Sequence, residues 1–239
     1  MGRAFEVRKV AMAKTAAVKS KVYAKYGREI YMAAKSGTPD PETNQTLKRI
    51  IERAKKEQVP ADVIKRNIEK AVGGTGENYT SVRYEGFGPG NSLLIVECLT
   101  DNVNRTIAEV RNCFTKTGGK LGISGSVVHQ FNHQAVFVIK GLTEDEVLEI
   151  LVLNDLDVSD MESDEEGVTI YSEATNFNAI RTALLDTNPD MDLDTEEIMW
   201  LPIMETTLDS EEDQEKFDRL TSMLDELDDV QDVFHNVHL

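Results

Sequence analysis

The sequence predicts an α+β protein in three parts, a helical start followed by two mixed α/β parts. Three observations carry that prediction. Apolar residues recur at spacings of three and four through residues 1–80. From residue 83 onward, short apolar runs bounded by turn residues alternate with helical stretches. Residues 132–203 hold a complete strand-helix-strand-strand-helix-strand series.

Residues 1–36 contain Arg3, Arg8, Lys9, Lys14, Lys19, Lys21, Lys25, Arg28 and Lys35 against only Glu6 and Glu29. Val22, Tyr26 and Ile30 sit among alanines at helical spacing, and Gly37 ends the segment. Asp40-Pro41 predicts the start of a second helix, with proline in the first position. Its apolar stripe is Leu47, Ile50, Ile51 and Ala54. Pro60 breaks the chain, and Val63, Ile64, Ile68 and Ala71 mark a third helix ended by Gly73-Gly74. Residues 73–80 have no apolar period and read as a hinge.

Arg83-Tyr84-Glu85-Gly86-Phe87-Gly88-Pro89-Gly90 reads as a turn, because three glycines and a proline cannot be helical. Residues 93–99 are a buried strand. Val103, Ile107, Val110 and Phe114 form one helix face, stopped by Gly118 and Gly119. Residues 126–131 alternate as a second strand, giving a β-α-β unit. A strand at 134–139 follows. Thr143-Glu144-Asp145-Glu146 is a capping box for a helix carrying Val147, Ile150 and Leu151. Strands at 156–161 and 168–171, a helix through Phe177, Ile180 and Leu184, and a strand at 198–203 complete the series. That is the ferredoxin-like order. The tail is a helix at 209–227, with Phe217, Leu220, Leu224 and Leu227 on one face, and a strand at 230–237. With a short strand at 204–207, the tail supplies the missing half of the first unit.

The expected architecture is therefore α+β: an N-terminal three-helix domain, then two ferredoxin-like α/β domains, one inserted in the other. The parts are a basic helical domain with hinge at 1–80, a discontinuous domain from 81–131 plus 204–239, and an inserted acidic domain at 132–203. A length of 239 residues suits two or three such domains. No apolar run is long enough for a membrane-spanning helix. The basic start is not followed by the apolar segment of a secretory signal. Cys98 and Cys113 read as reduced thiols of a cytoplasmic protein.

Charge is segregated along the chain. Residues 1–80 hold 17 Lys+Arg and 9 Asp+Glu, a net of +8, and residues 81–239 hold 9 and 34, a net of −25. Solubility does not call for that separation, and a phosphate-bearing partner for the basic end does. The expected nucleic-acid-binding residues are Arg3, Arg8, Lys9, Lys14, Lys19, Lys21, Lys25, Arg28, Lys35 and Arg105. Arg105 enters because Asn102, Asn104 and Arg105 open a helix. Two readings of that start stand side by side, an anion site and simple capping by Asp101 or Asn102.

Other motifs yield no cofactor, metal or catalytic centre. Gly86, Gly88 and Gly90 precede a strand, so they are no dinucleotide fingerprint. Asp186, Asn188, Asp190, Asp194 and Glu197 match calcium-loop positions, but Met191 stands where glycine must turn and Pro189 stiffens the loop. A solvated acidic loop is the reading. His129, His133, His235 and His238 form two pairs whose strands fall at opposite sheet edges, so zinc is not expected. No motif argues for a Ser/His/Asp or Cys/His constellation, so the chain is not expected to be an enzyme, which stands only as the last alternative.

Three motifs carry a resemblance: Arg83 to Gly90 as quoted, Leu99-Thr100-Asp101-Asn102-Val103-Asn104-Arg105-Thr106, and Gly118-Gly119-Lys120-Leu121-Gly122 followed by Gly125-Ser126-Val127. They resemble the YebC/PmpR family of probable transcriptional regulators, related to the mitochondrial translational activator of cytochrome c oxidase subunit I. The start, Met1-Gly2-Arg3-Ala4-Phe5-Glu6, looks like the branch with an altered N-terminus. The resemblance implies the same three-domain arrangement and a cytoplasmic, DNA-binding transcriptional regulator. Other branches imply a ribosome-associated translation factor that contacts RNA and relieves stalling. The partners expected are nucleic acid, with no membrane and no small-molecule substrate, and the chain is expected to be a monomer.

Overall fold

The computed structural model describes residues 19–73, 78–165 and 167–238. These fall into two compact units, one within Thr15–Val127 and Thr207–Val237, the other within Val128–Thr206 with His238.

The first unit begins with three helices: α1 (Lys19–Ser36), α2 (Gln45–Lys56) and α3 (Ala61–Val72). Their stripes meet in a core of Tyr26, Ile30, Ala33, Leu47, Ile50, Ile51, Ala54, Val59 and Ile64. The second helix does not start at Asp40-Pro41. Asn44 caps it, accepting from the Leu47 amide at 3.0 Å. The Asn44 amide also donates to the Ala33 and Thr38 carbonyls at 2.9 and 2.7 Å. One asparagine thus closes α1 and opens α2, while Asp40 only turns the chain between them. Of the hinge at 73–80, residues 74–77 lie outside the described residues.

The unit continues with β1 (Thr80–Phe87), β2 (Leu93–Thr100), α4 (Val103–Lys116) and β3 (Lys120–Leu121), and resumes at α7 (Glu211–Glu226) and β8 (Val230–His235). Its sheet order is β3-β1-β2-β8, every pair antiparallel. Two expectations are corrected. The stretch 83–87 is strand, not turn; only residues after Phe87 turn. Gly86 misleads because its role is contact: a Cβ there would lie 2.3 Å from the Phe114 ring. Glycine lets α4 press its largest side chain onto the strand. β1 then pairs with β2 over its full length, Thr80↔Thr100 to Phe87↔Leu93. It takes the place expected for residues 204–207, of which Thr206 makes only an isolated bridge. The fold is a ferredoxin-like sheet whose third strand comes first in the chain. The core under α4 and α7 joins Tyr84, Leu94, Val96, Cys98, Val110, Phe114, Phe217, Leu220 and Leu224.

The expected strand at 126–131 is also corrected. Val128–Gln130 is a single 3-10 turn and Phe131 already belongs to the next strand. Glu85 is the cause. It is 4 % exposed and takes the Gly125 and Val127 amides at 2.7 and 2.6 Å, so those donors never reach a ladder.

The second unit is β4 (Phe131–Ile139), α5 (Glu144–Leu153), β5 (Asp160–Asp164), β6 (Gly167–Glu173), α6 (Phe177–Thr187) and β7 (Leu193–Pro202). Its sheet order is β5-β6-β4-β7, the ferredoxin-like arrangement with all pairs antiparallel. The Thr143 capping box is present. β5 starts later than residue 156 and β7 earlier than 198, so Leu193–Glu197 of the acidic loop is strand. Phe137 and Phe177 stack at 4.8 Å in the core.

Candidate nucleic-acid interface

Of the expected phosphate contacts, Arg3, Arg8, Lys9 and Lys14 lie outside the described residues, as does the Lys19 side chain. Lys21, Lys25, Arg28 and Lys35 sit on α1. Burying Tyr26 and Ile30 against α2 and α3 turns the first three toward the end of the chain. Lys25 Nζ pairs with Asp232 at 3.0 Å and donates to the Gln231 carbonyl. Arg28 reaches Asp229 at 3.6 Å and donates to the Asp228 carbonyl. Burial pushes the Lys21 ammonium below its usual range, while Asp225, Asp228 and Glu226 draw it back up. Lys35, at the far end, bonds Asn78 at 2.7 Å and the Tyr31 hydroxyl at 3.3 Å.

Arg105 serves the same acidic corner. Asn102 caps α4, accepting from the Arg105 amide at 3.1 Å, so the capping reading describes the backbone there. The guanidinium pairs with Asp229 at 2.6 Å and Asp101 at 2.8 Å. Hydrogen bonds to Asp229 and then Asp101 hold Arg105 more firmly protonated than usual. Asp229, 2 % exposed, also accepts from Thr100 at 2.9 Å and Thr106 at 2.7 Å. Burial raises its carboxyl, but the bonds from Arg105, Thr106 and Thr100 outweigh that and hold it below the ordinary carboxylate range. The motif from Leu99 to Thr106 is thus built around an acid more than a hundred residues away in sequence. Nothing marks Asp229 out in the sequence, where it is one acid in the run Asp225 to Asp232.

This pairing redraws the charge map. Residues 128–206 hold 2 Lys+Arg and 19 Asp+Glu, a net of −17, which is the formal charge of the whole chain. The remainder holds 24 of each sign and is neutral. Inside that remainder, the basic 1–80 is balanced by 207–239, with 2 Lys+Arg and 11 Asp+Glu. Residues 81–127 hold 5 and 4, and their Arg111, Lys116 and Lys120 are exposed.

The acidic loop and the histidines hold no ligand cage. Asp194 pairs with Lys140 at 2.6 Å, and Glu196 with Arg181 at 2.7 Å. His133 stacks on Trp200 at 4.2 Å. Burial pushes the His235 imidazole down to about 4. Among the described residues no group of three or more His, Cys, Asp or Glu is placed to hold a metal. None of their helices is long and apolar enough to cross a membrane. Burial raises the Cys98 thiol to about 12, consistent with an unreactive core cysteine.

Two family models match the chain: the TACO1/YebC protein N-terminal domain over residues 3–74, and the TACO1/YebC second and third domain over residues 79–237. A "probable transcriptional regulatory protein" of Acholeplasma laidlawii is 62% identical over 237 residues, covering 99% of this chain and 98% of its own. One from Alteromonas mediterranea is 56% identical over 236 residues, covering 99% and 98%. A solved structure, that of a conserved hypothetical protein Aq1575 from Aquifex aeolicus, superposes with a TM-score of 0.78. It is 36% identical and covers 95% of this chain and 93% of its own.

Proposed function

The chain belongs to the TACO1/YebC family, and from that premise and its charge distribution we propose that it is a cytoplasmic, DNA-binding regulator of transcription. Its contacts are Arg3, Arg8, Lys9, Lys14, Lys19, Lys21, Lys25, Arg28, Lys35 and Arg105, supported by the exposed cations of residues 81–127. The observation that carries the reading is the confinement of the whole −17 to residues 128–206. That leaves 1–127 able to approach phosphate without net repulsion. The names of the relatives, probable transcriptional regulatory proteins, agree with it.

The second reading is a ribosome-associated factor that contacts RNA. One observation favours it. A part carrying −17 has nothing to gain beside a bare duplex, whereas a ribonucleoprotein surface offers basic protein as well as phosphate. Two measurements separate the readings. Titration of the full chain with non-specific duplex DNA, at rising salt, is expected to give a slope of log K against log salt of about −4, the value for four or five phosphate contacts. Absence of binding at low salt overturns the DNA reading. Gradient fractionation of lysate then decides the second, through comigration with large ribosomal subunits or its absence.

A further inference from the structure

The loop between β3 and residue 128 is built to hold its shape. Glu85, buried in β1, takes both the Gly125 and the Val127 amides on its carboxylate, and the Glu85 carbonyl takes the Gly122 amide at 2.8 Å. Gly125 has a φ of 87°, open to glycine and costly for other residues. The Ser126 amide closes a turn on the Ile123 carbonyl at 3.1 Å. A buried carboxylate spent on two loop amides fixes the loop far more firmly than its exposed position would. What it fixes in place is Ile123, 81 % exposed at the tip. Lys120 precedes it, its ammonium 5.2 Å from the Phe87 ring centre, and Lys116 is exposed at the end of α4.

A fixed apolar tip with two exposed cations just before it in the chain has a natural complement. Water is a poor partner for Ile123, and an uncharged apolar groove would leave the neighbouring ammonium groups without an anion. A nucleic acid supplies both halves: apolar base faces where a step can be parted, and phosphates on either side. We propose that the 118–127 loop is a nucleic-acid contact in which Ile123 enters against the bases as a wedge while Lys116 and Lys120 meet the adjoining phosphates. This rests on the nucleic-acid reading above and adds to it a site outside the N-terminal helices.

The test uses the full chain with two probes, duplex DNA and an RNA hairpin, each carrying 2-aminopurine to report unstacking. Ile123→Ser is expected to weaken binding about tenfold and to abolish the rise in 2-aminopurine fluorescence, with the salt slope unchanged. Lys116→Ala with Lys120→Ala is expected to flatten the slope by about 2. The side chains altered are exposed, so thermal unfolding of both variants should match the parent. The probe on which the fluorescence rises identifies DNA or RNA as the source. Should the parent bind while Ile123→Ser binds equally well with the same fluorescence rise, the wedge is wrong and the nucleic-acid reading survives. Should the parent bind neither probe, both fall together.

Discussion

The two ferredoxin-like sheets of this chain have the same strand arrangement and opposite ways of reaching it. The sheet β5-β6-β4-β7 is drawn from one continuous stretch. The sheet β3-β1-β2-β8 takes three strands from one side of that stretch and one from the other. Their electrostatics differ in the same sense. In the continuous unit, acids far outnumber bases, and its ion pairs Arg181 to Glu196 and Lys140 to Asp194 close within the one stretch. In the assembled unit, Lys25, Arg28 and Arg105 all reach acids of the last helix-strand corner. Where strands must be brought from far apart, opposite charges are brought with them; where they need not be, like charges accumulate. Charge in this protein tracks assembly rather than position along the chain.

The largest expected consequence is all-or-none. A fragment of residues 128–206 should give a dispersed amide NMR spectrum, because its core, from Phe137 to Leu184, is complete within it. A fragment of residues 78–127 should not. It lacks Phe217, Leu220 and Leu224, the side chains that cover Val96, Cys98 and Phe114. A folded 78–127 would show that the tail decorates this sheet instead of completing it.

Next in size is the acid that ties the assembled unit. Replacing Asp229 by Ala removes the acceptor shared by the buried Thr100 and Thr106 hydroxyls, leaving them only each other and the Asn102 backbone, and takes the nearest anion from Arg105. The expected loss is about 3 kcal/mol in urea unfolding of that unit, with the transition of the continuous unit unmoved. The pH dependence has a definite sign. Asp229 is held below the ordinary carboxylate range, so its contribution is full above the unfolded value, about 4, and is lost as pH falls through the folded one. Parent and variant should therefore converge in stability on acidification. A gap that persisted unchanged at low pH would mean that the missing contacts were packing rather than charge.

The same asymmetry decides what could be read from the residues alone. The continuous unit was legible: periodicity, the Thr143 capping box and strand order all point one way, and only strand ends moved. The assembled unit was legible in its parts but not in its order. Gly86 looks like a turn residue because local rules cannot see Phe114 pressing from α4. Residues 126–131 alternate like a strand because nothing nearby announces that Glu85 has claimed two of their amides. Among the site residues, the basic character of α1 was evident, while the acids it meets lie some two hundred residues on. Local sequence carries propensity; it does not carry which distant carboxylate a lysine will find.

The smallest effect concerns a single ion pair. Lys25 and Asp232 form a partly buried pair on the rim of the assembled unit, worth about 0.5–1 kcal/mol. Asp232→Asn should thus barely alter unfolding. If Lys25 is a phosphate contact, however, it cannot serve DNA and Asp232 at once. The acid then competes with the nucleic acid for the same ammonium. Asp232→Asn is expected to raise affinity for duplex DNA two- to fivefold at about 0.05 M salt, and less at 0.2 M, where screening shortens the reach of both charges to about 7 Å. Removing any negative charge gives some gain, so the control is Glu215→Gln, an exposed acid on α7 that changes the net charge equally. A larger gain for Asp232→Asn than for Glu215→Gln means that α1 is held in check by its own chain's acids. Equal gains would mean that DNA meets only the net field of the unit, and that Lys25 stays with Asp232 when DNA is bound.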